Sequence, residues 1–308
     1  VSVPCAPCWW DDGDDAARLV HADALTSAGD PRGEFIFLQC TAPTSPRLDE
    51  LWRAHHLDWL LELELPRYTW SPKKAGLSTA LFGAKNGLEL WTAQFERGFL
   101  TRLWAPRLAS HQVEAMQSRA TLRHLELEES DLSAVVASAS AFRLEGLGVL
   151  GATSVEPAKL EALVRARVFL ELAELSFNAG TEDADARAAW MVRAVEHAPR
   201  LTRLSLSGVL SVKPLRVIRQ LDWARRLTHL EVATRDATEE LVPLLEQLPA
   251  LQSLTLNVHH ARPELAQALL AHPALRQARI RTSAPTLLPE ELGWQLRERL
   301  GPEALVRF

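Results

Sequence analysis

Apolar positions in the C-terminal two-thirds of this chain keep one rhythm: an aliphatic residue, then another three positions on, then a third two positions later. Seven segments carry it: Leu122-Leu125-Leu127, Leu144-Leu147-Val149, Leu172-Leu175-Phe177, Leu201-Leu204-Leu206, Leu227-Leu230-Val232, Leu251-Leu254-Leu256 and Leu275-Ala278-Ile280. Their first positions are spaced 22, 28, 29, 26, 24 and 24 residues. Within a segment the later apolar residues alternate with polar ones, which predicts a half-buried strand. Between segments the period changes. Leu241, Leu244, Leu245 and Leu248 recur at i, i+3, i+4 and i+7, behind a cap and an acidic first turn from Thr238-Glu239-Glu240. Ala188, Met191, Val195 and Ala198 make a comparable helical stripe, and Leu265, Ala268 and Leu269 a shorter one. Pro199, Pro249 and Pro273 each stand two residues before the next segment, where proline ends a helix and sets the chain extended.

A strand–loop–helix unit of this size cannot bury its apolar edge without stacked neighbours. The expected fold is therefore α/β: a solenoid with parallel strands on its concave face and helices on its convex face. The period and the helices resemble leucine-rich repeats of the helix-rich, ribonuclease-inhibitor-like kind. The asparagine ladder common in such repeats is largely absent, with Asn178 and Asn257 the nearest candidates. Arg97 to Ala105 reads as a degenerate first strand, because Leu100 lies 22 residues before Leu122 and Leu103 keeps the spacing. At the other end Leu288, Leu292, Leu296 and Leu300 predict a helix stopped by Gly301-Pro302, and Ala304 to Phe308 a last edge strand. Together (about 286–308) they form the cap a solenoid needs over its final open core.

Ahead of the repeats the pattern differs. Leu19, Ala22 and Leu25 to Ala28 continue a helix that Gly29 can stop in a left-handed cap, and Asp30-Pro31 marks a turn into a second helix bearing Phe35, Ile36 and Leu38. Thr41 to Pro46 is a loop. Trp70 to Gly87 is a polar, locally basic surface excursion. Local chemistry explains the charges: Arg32 and Glu34 are expected to pair with each other and Asp30 to shape the turn.

These residues resemble a known module. Arg18-Leu19-Val20-His21-Ala22-Asp23, then Gly29-Asp30-Pro31-Arg32-Gly33-Glu34-Phe35-Ile36-Phe37-Leu38-Gln39, the tryptophan helix at 51–60 and the turn Phe95-Glu96-Arg97-Gly98-Phe99 are similar to the bacterial repeat-companion domain. The match covers roughly residues 14–105. It departs at Ala24, where tryptophan is common in that family, and in the longer insert from Trp70 to Lys85. The resemblance implies a mainly helical N-terminal domain (1–98) ahead of a repeat solenoid (99–308), and no enzymatic activity.

Function is expected on the residues between the strand leucines, which point to the concave face. From the first strand these are His124, Glu126 and Glu128; next come Gly146 and Gly148, which leave a gap for a bulky side chain or mark a weak repeat. Glu174, Ser176 and Asn178 follow, then Arg203, Ser205 and Ser207, then His229 and Glu231. Ser253, Thr255 and Asn257 precede Gln277, Arg279 and Arg281 on the last repeat. The face grades from acidic to basic, which suits a protein partner with its own charge asymmetry.

Catalysis and cofactors are not expected. His124 with Glu126 or Glu128, and His229 with Glu231, share a strand face, but there is no phosphate loop, nucleophile elbow or His-Glu-x-x-His. His55-His56 and His259-His260 read as strand neighbours with diverging side chains, poor chelates. Cys5-Ala-Pro-Cys8 has redox or zinc half-site spacing, with Cys40 and His21 the nearest further ligands, yet it lacks the strand–helix setting of a thioredoxin site. A net charge of −5 with both signs interspersed argues against nucleic acid. No apolar run approaches a membrane span, and no signal-peptide pattern opens the chain, so the expectation is a cytoplasmic protein that engages another protein. The alternative is a structural or sacrificial subunit of a bacterial regulatory or defence assembly, such as a protease target cut at Trp70 to Asn86 or Gly180 to Asp185.

Overall fold

The computed structural model describes residues 15–63, 69–70, 79–83, 90–96, 99–105, 108, 111–112, 115–116, 122–128, 144–150, 168–178, 198–210, 213–234, 238–283 and 288–307. The chain divides into two compact units, Val1–Leu144 and Glu145–Phe308.

The first unit opens with helices α1 (Asp15–Ser27), α2 (Pro31–Thr41) and α3 (Pro46–Leu61). The turn between α1 and α2 is closed as the sequence requires. Gly29 adopts φ +78°, its N–H donates to Thr26 O at 2.9 Å, and Asp30 N–H donates to Leu25 O at 2.9 Å. This pair of bonds satisfies the last carbonyls of α1. Asp30 then caps α2, its Oδ1 accepting from Arg32 N–H at 2.8 Å, with Pro31 as the first helical residue. Ser45 and Pro46 repeat the device at α3.

Strands follow: β1 (Thr69–Trp70), β2 (Thr79–Gly83), β3 (Leu90–Glu96) and β4 (Phe99–Ala105), paired antiparallel in sequence order. The excursion expected at 70–87 therefore contains sheet; its other residues lie outside the described ones. β4 changes partner type. It pairs antiparallel with β3 and, on its other edge, parallel with β5 (His124–Glu128), setting Leu103 opposite Leu125. The degenerate first strand read from Leu100 and Leu103 is thus real. Phe99 packs with Ala22, Leu25 and Ile36, which ties the helices to β4, and Cys40 lies against the same cluster.

The ion pairs of this unit differ from the local pairing expected of Arg32 and Glu34. Arg32 Nη2 reaches Glu62 Oε2, 2.6 Å away at the end of α3, and its guanidinium lies 5.8 Å from the Trp59 ring centre. Glu34 instead accepts from Arg47 at 2.9 and 3.2 Å. Both residues project from α2 toward α3, so the pairs bridge helices.

The second unit is an α/β solenoid of repeated strand–helix turns. Its strands are β6 (Gly146–Leu150), β7 (Glu174–Asn178), β8 (Arg203–Leu210), β9 (His229–Thr234), β10 (Ser253–Val258), β11 (Gln277–Thr282) and β12 (Leu305–Arg307), each pairing parallel with the next. Between them stand α4 (Val168–Glu171), α5 (Lys213–Arg219), a short 3-10 turn (Asp222–Arg226), α6 (Thr238–Glu246), α7 (Pro263–Ala271) and α8 (Glu290–Leu300).

Every first and second leucine of these repeats is buried: Leu172, Leu175, Leu201, Leu204, Leu227, Leu230, Leu251 and Leu254 among them. Leu241, Leu244, Leu245 and Leu248 of the α6 stripe are buried too. At about 1.5–3 kcal/mol for each large apolar side chain removed from water, these stripes dominate the stability of the unit. One backbone device sets the register. The carbonyls of Glu145, Ala173, Thr202, Thr228 and Gln252, just ahead of each strand, each accept two successive N–H groups from the next repeat at 2.8–3.1 Å. Gly301, at φ +105°, stops α8, and β12 covers one edge of β11.

Candidate functional site: the polar strand face

The parallel register converts isolated polar residues into rows. Glu174, Arg203, His229, Ser253 and Gln277 stand opposite one another across five strands. Ser176, Ser205, Glu231, Thr255 and Arg279 form the next row. In a third, Asn178 stands opposite Ser207, and Ala233, Asn257 and Arg281 align. The cause is the period of two: residues between buried leucines share the other face of the sheet. Arg203 and Gln277 are exposed and Glu174, His229, Glu231, Thr255, Asn257, Arg279 and Arg281 half-exposed, whereas the alternate residues are buried.

Neighbouring strands let the charges of these rows offset each other. Arg203 sits between Glu174 and His229. Ser205 Oγ donates to Glu231 Oε2 at 3.1 Å, and Arg279 forms an ion pair with Glu303. His229 Nδ1 lies 2.9 Å from Thr228 Oγ1. Its pKa is lowered from 6.5, chiefly by partial burial and then by the Arg203 charge, with Glu174 opposing. Asn257 Oδ1 is buried and accepts no hydrogen bond among the described residues.

In the first unit His124 and Glu126 are half-buried on β5, opposite Arg102 and Trp104. Glu128 ends that strand, and the side chains of Glu128 and Asn178 lie outside the described residues. Gly146 and Gly148 are buried.

The histidine pairs differ from their sequence reading. His55 and His56 lie on α3, where His56 is buried, donates from Nδ1 to Trp52 O at 2.6 Å and stacks on Trp52 with ring centres 5.2 Å apart. His259 and His260 follow the end of β10, and their rings meet rather than diverge, 4.3 Å apart. Among the described residues no group of three or more His, Cys, Asp or Glu could hold a metal. His21 stacks on Phe99 at 5.8 Å; its pKa is lowered by burial and by Arg32, against Asp30. Cys5, Cys8, the stripe from Ala188 to Val195 and the loop at 180–185 lie outside the described residues.

No protein-family model matches this chain. No curated protein matches it either. Among solved structures, the chain is similar to a Bacteroides fragilis protein from a structural genomics consortium, at 16% identity and a TM-score of 0.43. The similarity covers 65% of this chain and 60% of that one. No helix among the described residues is long and apolar enough to cross a membrane.

Proposed function

We propose that this chain is a non-enzymatic interaction scaffold that binds a protein partner on its polar strand face. The observation that supports the reading is the run of in-register polar rows across β7 to β11, half-exposed while the same strands bury their other side in the core. Rigid strands present Glu174, Arg203, His229, Glu231, Thr255, Asn257, Arg279 and Arg281 at fixed spacing. A surface so preorganised loses little side-chain and loop freedom when it binds. Its mixed charges select a partner by orientation more than by bulk affinity.

In this reading the strand–helix units are leucine-rich repeats of the ribonuclease-inhibitor-like kind, preceded by a bacterial repeat-companion domain, in a cytoplasmic protein. The Gly29–Ile36 segment supports the second part, since Gly29 closes the turn, Asp30 caps α2, and Gly33, Phe35 and Ile36 are buried.

The test is capture from the native host with the intact chain beside a Glu174→Arg, Arg279→Glu variant whose circular dichroism is unchanged. A specific partner lost with the variant supports the reading. A partner held equally by both moves the binding surface elsewhere on the chain and overturns it.

A further inference from the structure

We propose that His259 and His260 form a two-histidine binding site for a divalent transition cation that prefers tetragonal coordination, such as Ni2+ or Cu2+. Three observations carry this. First, β10 ends at Val258 and the chain bends at His259. Successive side chains, which a continuing strand would send to opposite faces, come together there.

Second, the spacing suits one metal geometry better than another. The two ring centres are 4.3 Å apart with planes at 62°. With metal–nitrogen bonds of about 2.0–2.1 Å, imidazole centres lie about 3.2 Å from the ion, hence about 4.5 Å apart at a right angle and about 5.2 Å at a tetrahedral one. The pair fits adjacent positions of a square or octahedral ion, which favours Ni2+ or Cu2+ over Zn2+.

Third, His259 is already oriented. Its Nδ1 lies 2.8 Å from Ser283 Oγ, just beyond β11, and Ser283 N–H is held by Val258 O at 3.3 Å. A metal on Nε2 selects the tautomer whose Nδ1–H donates to that hydroxyl, the outer hydrogen bond that steadies ligating histidines. His259 is exposed, so a hydrated ion reaches it, and water fills the positions the pair leaves open.

The test titrates the full-length, untagged chain with Ni2+ alone, and separately with Zn2+, by calorimetry. One Ni2+ per chain is expected, bound more tightly than Zn2+. Binding should weaken at least tenfold in His259→Asn and in His260→Asn, and about ten- to a hundredfold in Ser283→Ala, which keeps both ligands but loses the orienting bond. Paramagnetic broadening by Ni2+ should centre on the 259 and 260 imidazole resonances. Binding unchanged in the His259→Asn/His260→Asn double variant, broadening centred elsewhere, or no wild-type binding beyond that of the double variant would each overturn the site.

Discussion

His272 stands in for the backbone at Leu275. In three earlier repeats the N–H of the first leucine donates to the carbonyl three residues before it: Leu201 to Ala198, Leu227 to Ala224 and Leu251 to Leu248, at 3.0–3.1 Å. In the last repeat Leu275 N–H donates instead to His272 Nδ1 at 3.2 Å. That bond fixes the tautomer, because a ring nitrogen that accepts carries no hydrogen. Nε2 then donates to Leu248 O, 3.0 Å away in the preceding repeat. The displaced His272 carbonyl accepts from Arg299 at 2.8 Å, which fastens the cap helix α8 to the same point.

Replacing His272 by Leu should therefore strand a buried N–H and weaken the hold on the repeat before it. The imidazole is buried, so water cannot substitute. A loss of about 1–3 kcal/mol is expected for the stranded group. Urea unfolding followed by circular dichroism gives the loss, and amide exchange locates it: protection at Leu275 should fall further than at Leu251. Equal exchange at both amides in the variant would show that the imidazole does not carry the bond.

Two glycines four residues apart should respond to alanine for different reasons. At Gly33 an added Cβ would sit 2.4 Å from Ala22 O and 2.4 Å from Thr26 Oγ1, so α1 and α2 would have to separate. At Gly29 nothing lies within 4 Å and the cost is conformational, from φ +78°. Gly29→Ala is expected to cost about 1–2 kcal/mol. Gly33→Ala should cost about 1–3 kcal/mol or more as overpacking, with loss of the α1–α2 contact. Adding Thr26→Ala should relieve only part of the Gly33→Ala loss, because the Ala22 carbonyl remains. Thermal unfolding of the three variants measures this, and full rescue by Thr26→Ala would show that the backbone approach is not limiting.

The parts of the fold set by short-range pattern were legible in the sequence. Period-two leucines placed the strands, and repeat spacing recovered even β4, whose Leu103 keeps its partner Leu125. The Gly29–Pro31 turn was legible because each residue there has one dominant local role. What depends on distant partners was not. Arg32 and Glu34 look like a local pair, yet their partners are Glu62 and Arg47, which only helix packing brings near. His272 carries no mark in the sequence that separates it from a surface histidine; its role appears only when the backbone around Leu275 is seen. His259 and His260 lie one and two residues past Val258, where strand alternation no longer governs the side chains. The polar rows themselves followed from alternation, but the ion pair of Arg279 with Glu303 needed the placement of the cap.

His229 makes the polar face sensitive to mild acid. Its pKa is lowered from 6.5, first by partial burial and next by Arg203, while Glu174 opposes. The folded chain therefore binds this proton less readily than the unfolded chain. Between the two pKa values the unfolded state holds more protons, so stability rises with pH. The contribution is fully present above about 6.5 and declines as pH falls through the lower folded value. His21 acts in the same sense, through burial and Arg32. The urea midpoint should accordingly drop from pH 7.5 to pH 5.5. His229→Asn should narrow that drop, and Arg203→Gln, which removes the second cause, should narrow it less. A drop of the same size in wild type and His229→Asn would show that this histidine titrates alike in both states and that the acid sensitivity arises elsewhere.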